Sequence, residues 1–320
     1  MSKILITGGA GFVGSALTSR LCGNHDVTVI DNYFTGSKSN HCTGVEYIDS
    51  DVNFINDIGL PKTFDVIFHL GEYARVEQSY EDFDTVMQYN YHSFPEVLSF
   101  AKDCDAKLIY SGSSTKFSDE GKMLSPYAYT KAQNTDLLEA YAEWYGLDYA
   151  IVYFYNVYGD NEIGSGKYAT VIAKFLELVK GGHKTLPVTA PGNQMRNFTH
   201  IDDIVDGLIL VMEKGSGPGY GIGHHKAWSM IDVVKAMGVD YQIVESKQGN
   251  RMNGAVMTLK TKQLGWEPKH NLEDYIKEKL NPDGRWNWYG AEEEDNPFDT
   301  LPDVEDLEKI VNRELKKLGQ

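Results

Sequence analysis

The chain has 320 residues, 42% hydrophobic and 24% charged, the composition of a globular protein with one large or two closely packed domains. Thirty Lys and Arg stand against 46 Asp and Glu, and the net charge of −16 sets nucleic acid and anionic membrane surfaces aside as partners. No apolar run of about 18 residues is present to span a membrane; the start MSKILITGG puts a strand and glycines where a signal peptide needs an apolar stretch, and Cys22, Cys42 and Cys104 form no CxxC pair, so a cytoplasmic chain without disulfide scaffold or zinc ribbon is expected.

Along the first half, Lys3–Thr7, Val27–Ile30, Glu46–Ile48, Val66–His69 and Lys107–Tyr110 read as short strands separated by amphipathic stretches, one of them the candidate helix Phe94–Cys104. Near-continuous apolar strands alternating with helices predict a doubly wound α/β fold, a parallel sheet covered on both faces. Pro126–Trp144 reads as a long helix with an apolar stripe of Tyr127, Leu137, Leu138, Tyr141 and Trp144, and Asp148–Tyr155 as the next strand. A first domain is expected over 1–165, with a return segment near 195–225. Helical patterns at Tyr168–Lys180, Ile201–Lys214 and Ser229–Met237, broken by Pro187, Pro191 and Gly192, predict a smaller α/β domain over 166–280. The stretch 281–320 carries 11 acidic and 5 basic side chains, with Trp286, Trp288 and Tyr289 ahead of a helical pattern at Val304–Leu318.

Chemistry enters at Thr7–Gly14, TGGAGFVG, which closes the first strand and opens the first helix. Glycine at 8, 11 and 14 permits a tight turn, close approach of backbone to a pyrophosphate, and tight packing of helix on strand. The helix N-terminus then meets phosphate charge with free N–H groups. Asp31 ends the second strand 17 residues past Gly14, where a carboxylate accepts from ribose hydroxyls and repels a 2′-phosphate. That combination favours NAD over NADP. Asp51 and Val52, after the third strand, are candidates for the adenine.

Tyr127 and Lys131 lie one helical turn apart, so the ammonium stabilises a phenolate able to take a proton from a substrate hydroxyl. Ser113, 14 residues before Tyr127 at a strand's carboxyl edge, supplies a hydroxyl for the same oxygen. With TGGAGFVG, DNYFTG (31–36), DV (51–52), HL (69–70), Asn90, SGSST (111–115), SPYAYTK (125–131), YFYNVYG (153–159), RNFTHIDD (196–203) and LGWEP (264–268), the chain resembles the extended short-chain dehydrogenase/reductases of the NAD-dependent nucleotide-sugar epimerase/dehydratase family. The resemblance covers about residues 3–280. It implies a Rossmann-type NAD domain, a small nucleotide-sugar domain, and a catalytic triad of Ser113, Tyr127 and Lys131. It further implies cofactor contacts from Gly11, Phe12, Val13, Asp31, Asn32, Gly36, Asp51, Val52, Leu70, Gly71, Asn90 and Tyr155. Asn156, Arg196 and Arg251 would meet the substrate diphosphate, and helices 94–104 and 126–144 would form a homodimer bundle.

Some positions depart from the pattern. Gly71-Glu72 puts a carboxylate where family members carry two small residues, Tyr153 replaces an Arg, Asn197 an Asp, and Arg251-Met252-Asn253-Gly254 keeps only the arginine of its motif. Dehydratases of the family hold an Asp-Glu pair just after the catalytic hydroxyl; here Ser114-Thr115 stands there, and Ser113-x-Thr115 resembles the 4-epimerases. The family's gate at the hexose C2 substituent falls on Thr258, small enough to admit an N-acetyl group. A nucleotide-sugar 4-epimerase is therefore expected. A 4,6-dehydratase using Glu72, a 4-keto-sugar reductase, and a non-catalytic NAD sensor are the alternatives. No metal ligand set is expected: His224 and His225, adjacent on an extended segment, should point opposite ways.

Overall fold

The computed structural model describes residues 1–117, 121–246, 248–249 and 256–281, within a compact unit spanning Met1–Pro282. Arg251 and nearly all of the acidic stretch 281–320, with its aromatic group and expected helix, lie outside the described residues.

The strands in chain order are β1 (Lys3–Thr7), β2 (Asp26–Asp31), β3 (Glu46–Asp49), β4 (Val66–His69), β5 (Lys107–Ser113), β6 (Tyr149–Phe154), β7 (Val157–Tyr158), β8 (Thr185–Thr189), β9 (Met195–Asn197), β10 (Thr199–His200), β11 (Gly217–Ile222), β12 (Ala227–Ser229) and β13 (Asp240–Val244). The helices are α1 (Phe12–Leu21), the short α2 (Phe83–Val86), α3 (Ser93–Cys104), α4 (Pro126–Tyr145), α5 (Val171–Lys180), α6 (Ile201–Lys214), α7 (Met230–Ala236), α8 (Leu259–Gln263) and α9 (Leu272–Leu280). Seven strands form one sheet in the order β11-β6-β5-β4-β1-β2-β3, with every pairing parallel. This is the doubly wound, Rossmann-type sheet that the apolar runs predict.

Both faces are buried, which is why the strands read as continuous apolar runs rather than alternating ones. Ile4, Ile6, Val29 and Phe68 pack toward Leu17 of α1 and Ile204, Val205 and Leu208 of α6. Leu5, Ile30, Ile67 and Ile151 pack on the other side with Phe94, Val97 and Leu98 of α3 and Leu138 of α4. Beyond β6 the pairs are small: β7–β10 and β8–β13 parallel, β9–β12 antiparallel. No described helix is long and apolar enough to cross a membrane.

Three expectations need correction. Strand β5 continues past Tyr110 to Ser113, because its register with β6 runs on to Ser113 opposite Phe154. Helix α5 begins at Val171 rather than Tyr168: Thr170 is extended, and its N–H goes to Ile163 O at 2.9 Å. On α4 the apolar stripe gives way to a buried face of mostly small and polar residues, among them Thr130, Lys131, Asn134 and Thr135, while Trp144 is 65% exposed. That face is polar because it packs against the site.

Candidate active site

The carboxyl ends of β1, β2, β4 and β5 converge where the strand order reverses between β1 and β4, the usual crevice of such sheets. The glycines explain the close approach. A Cβ on Gly8, whose φ is +71°, would lie 2.7 Å from Gly71 Cα, and one on Gly14 would lie 2.1 Å from Gly8 O. Only bare backbone fits, so α1 starts directly against the β1 turn. Its N-cap Gly11 offers no side-chain cap, and no acidic residue occupies the first turn. The first-turn N–H groups are therefore free to take an anion. Gly8, Gly11, Phe12, Val13, Gly14, Asp31, Asn32, Gly36, Asp51, Val52, Leu70 and Gly71 all line one cleft of about 420 Å³. This cradle fits the pyrophosphate and adenosine of a dinucleotide.

Asp31 is 6% exposed and accepts from Ala10 N and Tyr33 N, both at 2.8 Å. Burial raises its pKa above the ordinary carboxylate value, against the pull of those two N–H groups. Asp51 caps the turn that follows it, accepting from Asn53 N at 2.9 Å, and receives Asn32 Nδ2 at 3.3 Å. Asn90 is fully buried on a π-helical turn, Met87–His92, outside the cleft lining. It accepts from Tyr73 N at 2.7 Å and donates to Tyr73 O and Thr130 Oγ1, both at 3.1 Å, so it holds the loop after β4. Tyr155 is buried in the core, its hydroxyl accepting from Met257 N at 2.9 Å, and does not line the cleft.

Helix α4 is set by its ends: Ser125 Oγ accepts from Ala128 N at 3.1 Å, Pro126 occupies the first turn, and Gly146 closes the helix at φ +72°. This places Tyr127 in the first turn, half-buried, and Lys131 one turn on, 4% exposed. Ser113 is buried at the end of β5 and accepts from Thr115 Oγ1 at 2.9 Å. The Lys131 ammonium donates to Glu72 Oε2 and, at 2.5 Å, to Ser111 O. The Glu72 side chain is 1% exposed, and its Oε1 accepts from Asn134 Nδ2 at 2.8 Å. Burial alone would raise the Glu72 pKa, but Lys131 and His69 outweigh it and hold it below the usual value.

Sequence reading missed this pairing, although the Glu72 departure and the polar α4 face both signalled it. It also missed Arg75 and Glu162, which lie on loops without motif spacing. Both line the cleft; burial pulls the Arg75 guanidinium down and pushes Glu162 up to about 7. A second cleft of about 680 Å³ contains Thr115, Asn156 and Arg196 and shares Asn156, Ala169, Val171 and Phe198 with the first. Thr258 sits at the start of α8, in the lining of neither cleft.

His224 and His225 do not point apart, as an extended segment would require. The chain bends there, with Lys226 N donating to His224 Nδ1 at 3.0 Å, and the two rings stack at 4.4 Å. Burial, with His225 alongside, lowers His224 to about 4. His200, Asp202 and His270 also cluster, but His270 Nδ1 is 2.9 Å from Asp203 Oδ1 and Asp202 pairs with Arg20.

A model of the NAD dependent epimerase/dehydratase family matches residues 4–223. The chain belongs to this family. It is an enzyme, its cofactor is NAD, and its chemistry is that of nucleotide sugars. This epimerase/dehydratase family member is similar to the UDP-N-acetyl-alpha-D-glucosaminuronate decarboxylase of Bacillus cytotoxicus, with 30% identity over 256 residues, 73% of this chain and 78% of the relative. Its fold is similar to the UDP-glucose 4-epimerase of Thermus thermophilus in complex with NAD, at 25% identity and TM-score 0.77, covering 87% of this chain and 98% of that one. It is likewise similar to the UDP-glucose 4-epimerase of Thermotoga maritima with UDP-glucose, at 26% identity and TM-score 0.78, covering 87% and 97%.

Proposed function

We propose that the chain is a NAD-dependent nucleotide-sugar 4-epimerase acting on a UDP-hexose or UDP-N-acetylhexosamine, with Ser113, Tyr127 and Lys131 as its catalytic group. The observation that carries this reading is the Ser113–Thr115 hydroxyl pair, joined at 2.9 Å, with Ser114 and Thr115 standing where a dehydratase needs carboxylates. Glu72 does not fill that gap, since its two oxygens are committed to Lys131 and Asn134. An acid and a base for eliminating water are thus lacking next to Ser113 among the described residues. The intact Tyr127 and Lys131 favour an enzyme over a sensor.

When bound, NAD supplies reversible oxidation at the sugar C4. The glycine turn, Asp31, Asp51 and the Leu70-Gly71 backbone hold the cofactor. Tyr127 takes the O4 proton and returns it, and Ser113, oriented by Thr115, holds O4. Asn156 and Arg196, in the adjoining cleft, receive the diphosphate together with Arg251. The parts beyond β6, chiefly β8–β13, β9–β12, α5 and α7, carry the nucleotide sugar. The enzyme works as a cytoplasmic homodimer, supported by three free thiols and by exposed Tyr91, Tyr129, Trp144 and Tyr145 near and on α3 and α4.

Incubation with UDP-glucose, UDP-N-acetylglucosamine, UDP-glucuronate and their GDP and dTDP counterparts, with products resolved by NMR, tests the reading. A C4 epimer of a UDP-sugar is expected; a 4-keto-6-deoxy product overturns it. The cofactor part has its own test. Asp31→Ala should weaken NAD by about tenfold or more, since it removes a charged acceptor, and should narrow the preference over NADP. Calorimetric titration of both nucleotides reads this, and an unchanged NAD/NADP ratio removes Asp31 from the ribose.

A further inference from the structure

Glu72 lies just beyond β4 in the lining of the cofactor cleft, and its carboxylate is closed off from water. Around it stand the Lys131 ammonium, Asn134 Nδ2 at 2.8 Å, the Tyr110 hydroxyl at 3.4 Å and His69 Nε2 at 3.7 Å. The His69 Nδ1 is 2.8 Å from Thr7 Oγ1, whereas its buried Nε2 makes no hydrogen bond among the described residues and lies 3.7 Å from Glu72 Oε1. The Lys131 ammonium gives its remaining N–H groups to Ser111, at the carbonyl 2.5 Å away and the hydroxyl at 3.4 Å. Among the described residues, none of its hydrogen bonds reaches Tyr127, the residue one turn back on the same helix face.

We propose that Glu72 is a positioning residue that neutralises Lys131 and pins its ammonium to β5, so that Tyr127 experiences an ion pair rather than a bare lysine cation. This rests on the reading above that Tyr127 is the base. A dipole of two opposite charges acts on a neighbour far less than either charge alone. Besides Lys131, Arg75 interacts electrostatically with Tyr127 and also with Glu162, whose value of about 7 places its titration inside any neutral pH profile. Tyr110, fully buried, also faces both Tyr127 and Glu72, and burial, with the Glu72 charge beside it, pushes its hydroxyl well above the ordinary range. Glu162→Gln is therefore the background in which every pH measurement is repeated.

The test reads the Tyr127 phenolate directly, by ultraviolet difference titration of the full-length protein loaded with NAD, with Tyr127→Phe assigning the step. Glu72→Gln should move that step down by about one pH unit, the effect of an unscreened cation one turn away on the same helix. Lys131→Met should move it up, and the double variant Glu72→Gln/Lys131→Met should return it to the wild-type position, because one neutral pair replaces another. The acidic limb of kcat should follow the Glu72→Gln step. A Tyr127 step that stays in place in Glu72→Gln overturns the proposal. Where Glu72→Gln does not fold, a double variant that titrates as high as Lys131→Met does the same. A protein that shows these shifts but converts no nucleotide sugar fails the reaction reading alone, whereas 4-epimerisation with unmoved titration fails only the role of Glu72.

Discussion

Tyr127→Phe is expected to lower turnover of a nucleotide sugar by about 10²–10⁴-fold, the usual contribution of a positioned proton acceptor, while leaving NAD affinity nearly unchanged. The phenol stands in the first turn of a helix whose N-cap, first-turn proline and C-terminal glycine hold it irrespective of that hydroxyl. The neighbouring candidates for the proton are already occupied. Ser113 Oγ accepts from Thr115, and the Glu72 carboxylate is spanned by Lys131 and Asn134. Removing one oxygen therefore removes the acceptor without opening a cavity in the core. Product formation followed by NMR, alongside calorimetric titration of NAD, separates the two effects. Turnover within a few-fold of wild type would assign the proton to another group.

Lys131→Met should cost about 3–5 kcal/mol of stability, the range for breaking a buried ion pair from one side. The cost comes from Glu72, left as a buried carboxylate with no counter-charge. Its pH dependence carries a sign. In the wild type burial raises the Glu72 pKa, Lys131 and His69 more than cancel this, and the folded value lies below the ordinary one. The pair's contribution is then complete above the ordinary glutamate range and is lost as pH falls through the lower folded value. Without Lys131 the burial contribution dominates, the folded value rises, and stability should fall as pH increases beyond about 5. Denaturant midpoints across pH, with Glu72→Leu/Lys131→Met recovering most of the loss, check both magnitude and direction. A variant whose midpoint rises with pH as the wild type does would show that Glu72 finds its counter-charge elsewhere.

The sheet was legible because its chemistry is local. β1 and β4 need unbroken apolar runs to be buried on both faces, and α6 is framed within Ile201–Lys214 by its own amphipathic period. The cofactor cleft was legible for the same reason: Gly8, Gly14 and Asp31 act through backbone clearance and a strand end, both visible as spacing. What escaped depends on groups far apart in the chain. Glu72 and Lys131 are 59 residues apart and meet only because β4 and β5 are neighbours and α4 crosses their ends. Trp144 fits a helical apolar stripe by period, but the buried face of α4 was claimed by the polar network that Glu72 and Asn90 require. His224 and His225 stack because of a bend that no single residue type announces.

Asn90 has a wider consequence. It sits on a π-helical turn, a helix carrying one residue too many for regular pitch, and a residue's worth of rotation is about 100°. On that turn the Asn90 side-chain amide bonds the Tyr73 backbone, while Asn90 O receives Asn134 Nδ2 at 2.9 Å from α4. The loop after β4 and the helix bearing Tyr127 and Lys131 are thereby clamped together through a single residue. A lineage that shortened this helix by one residue would gain a straighter helix and lose the clamp.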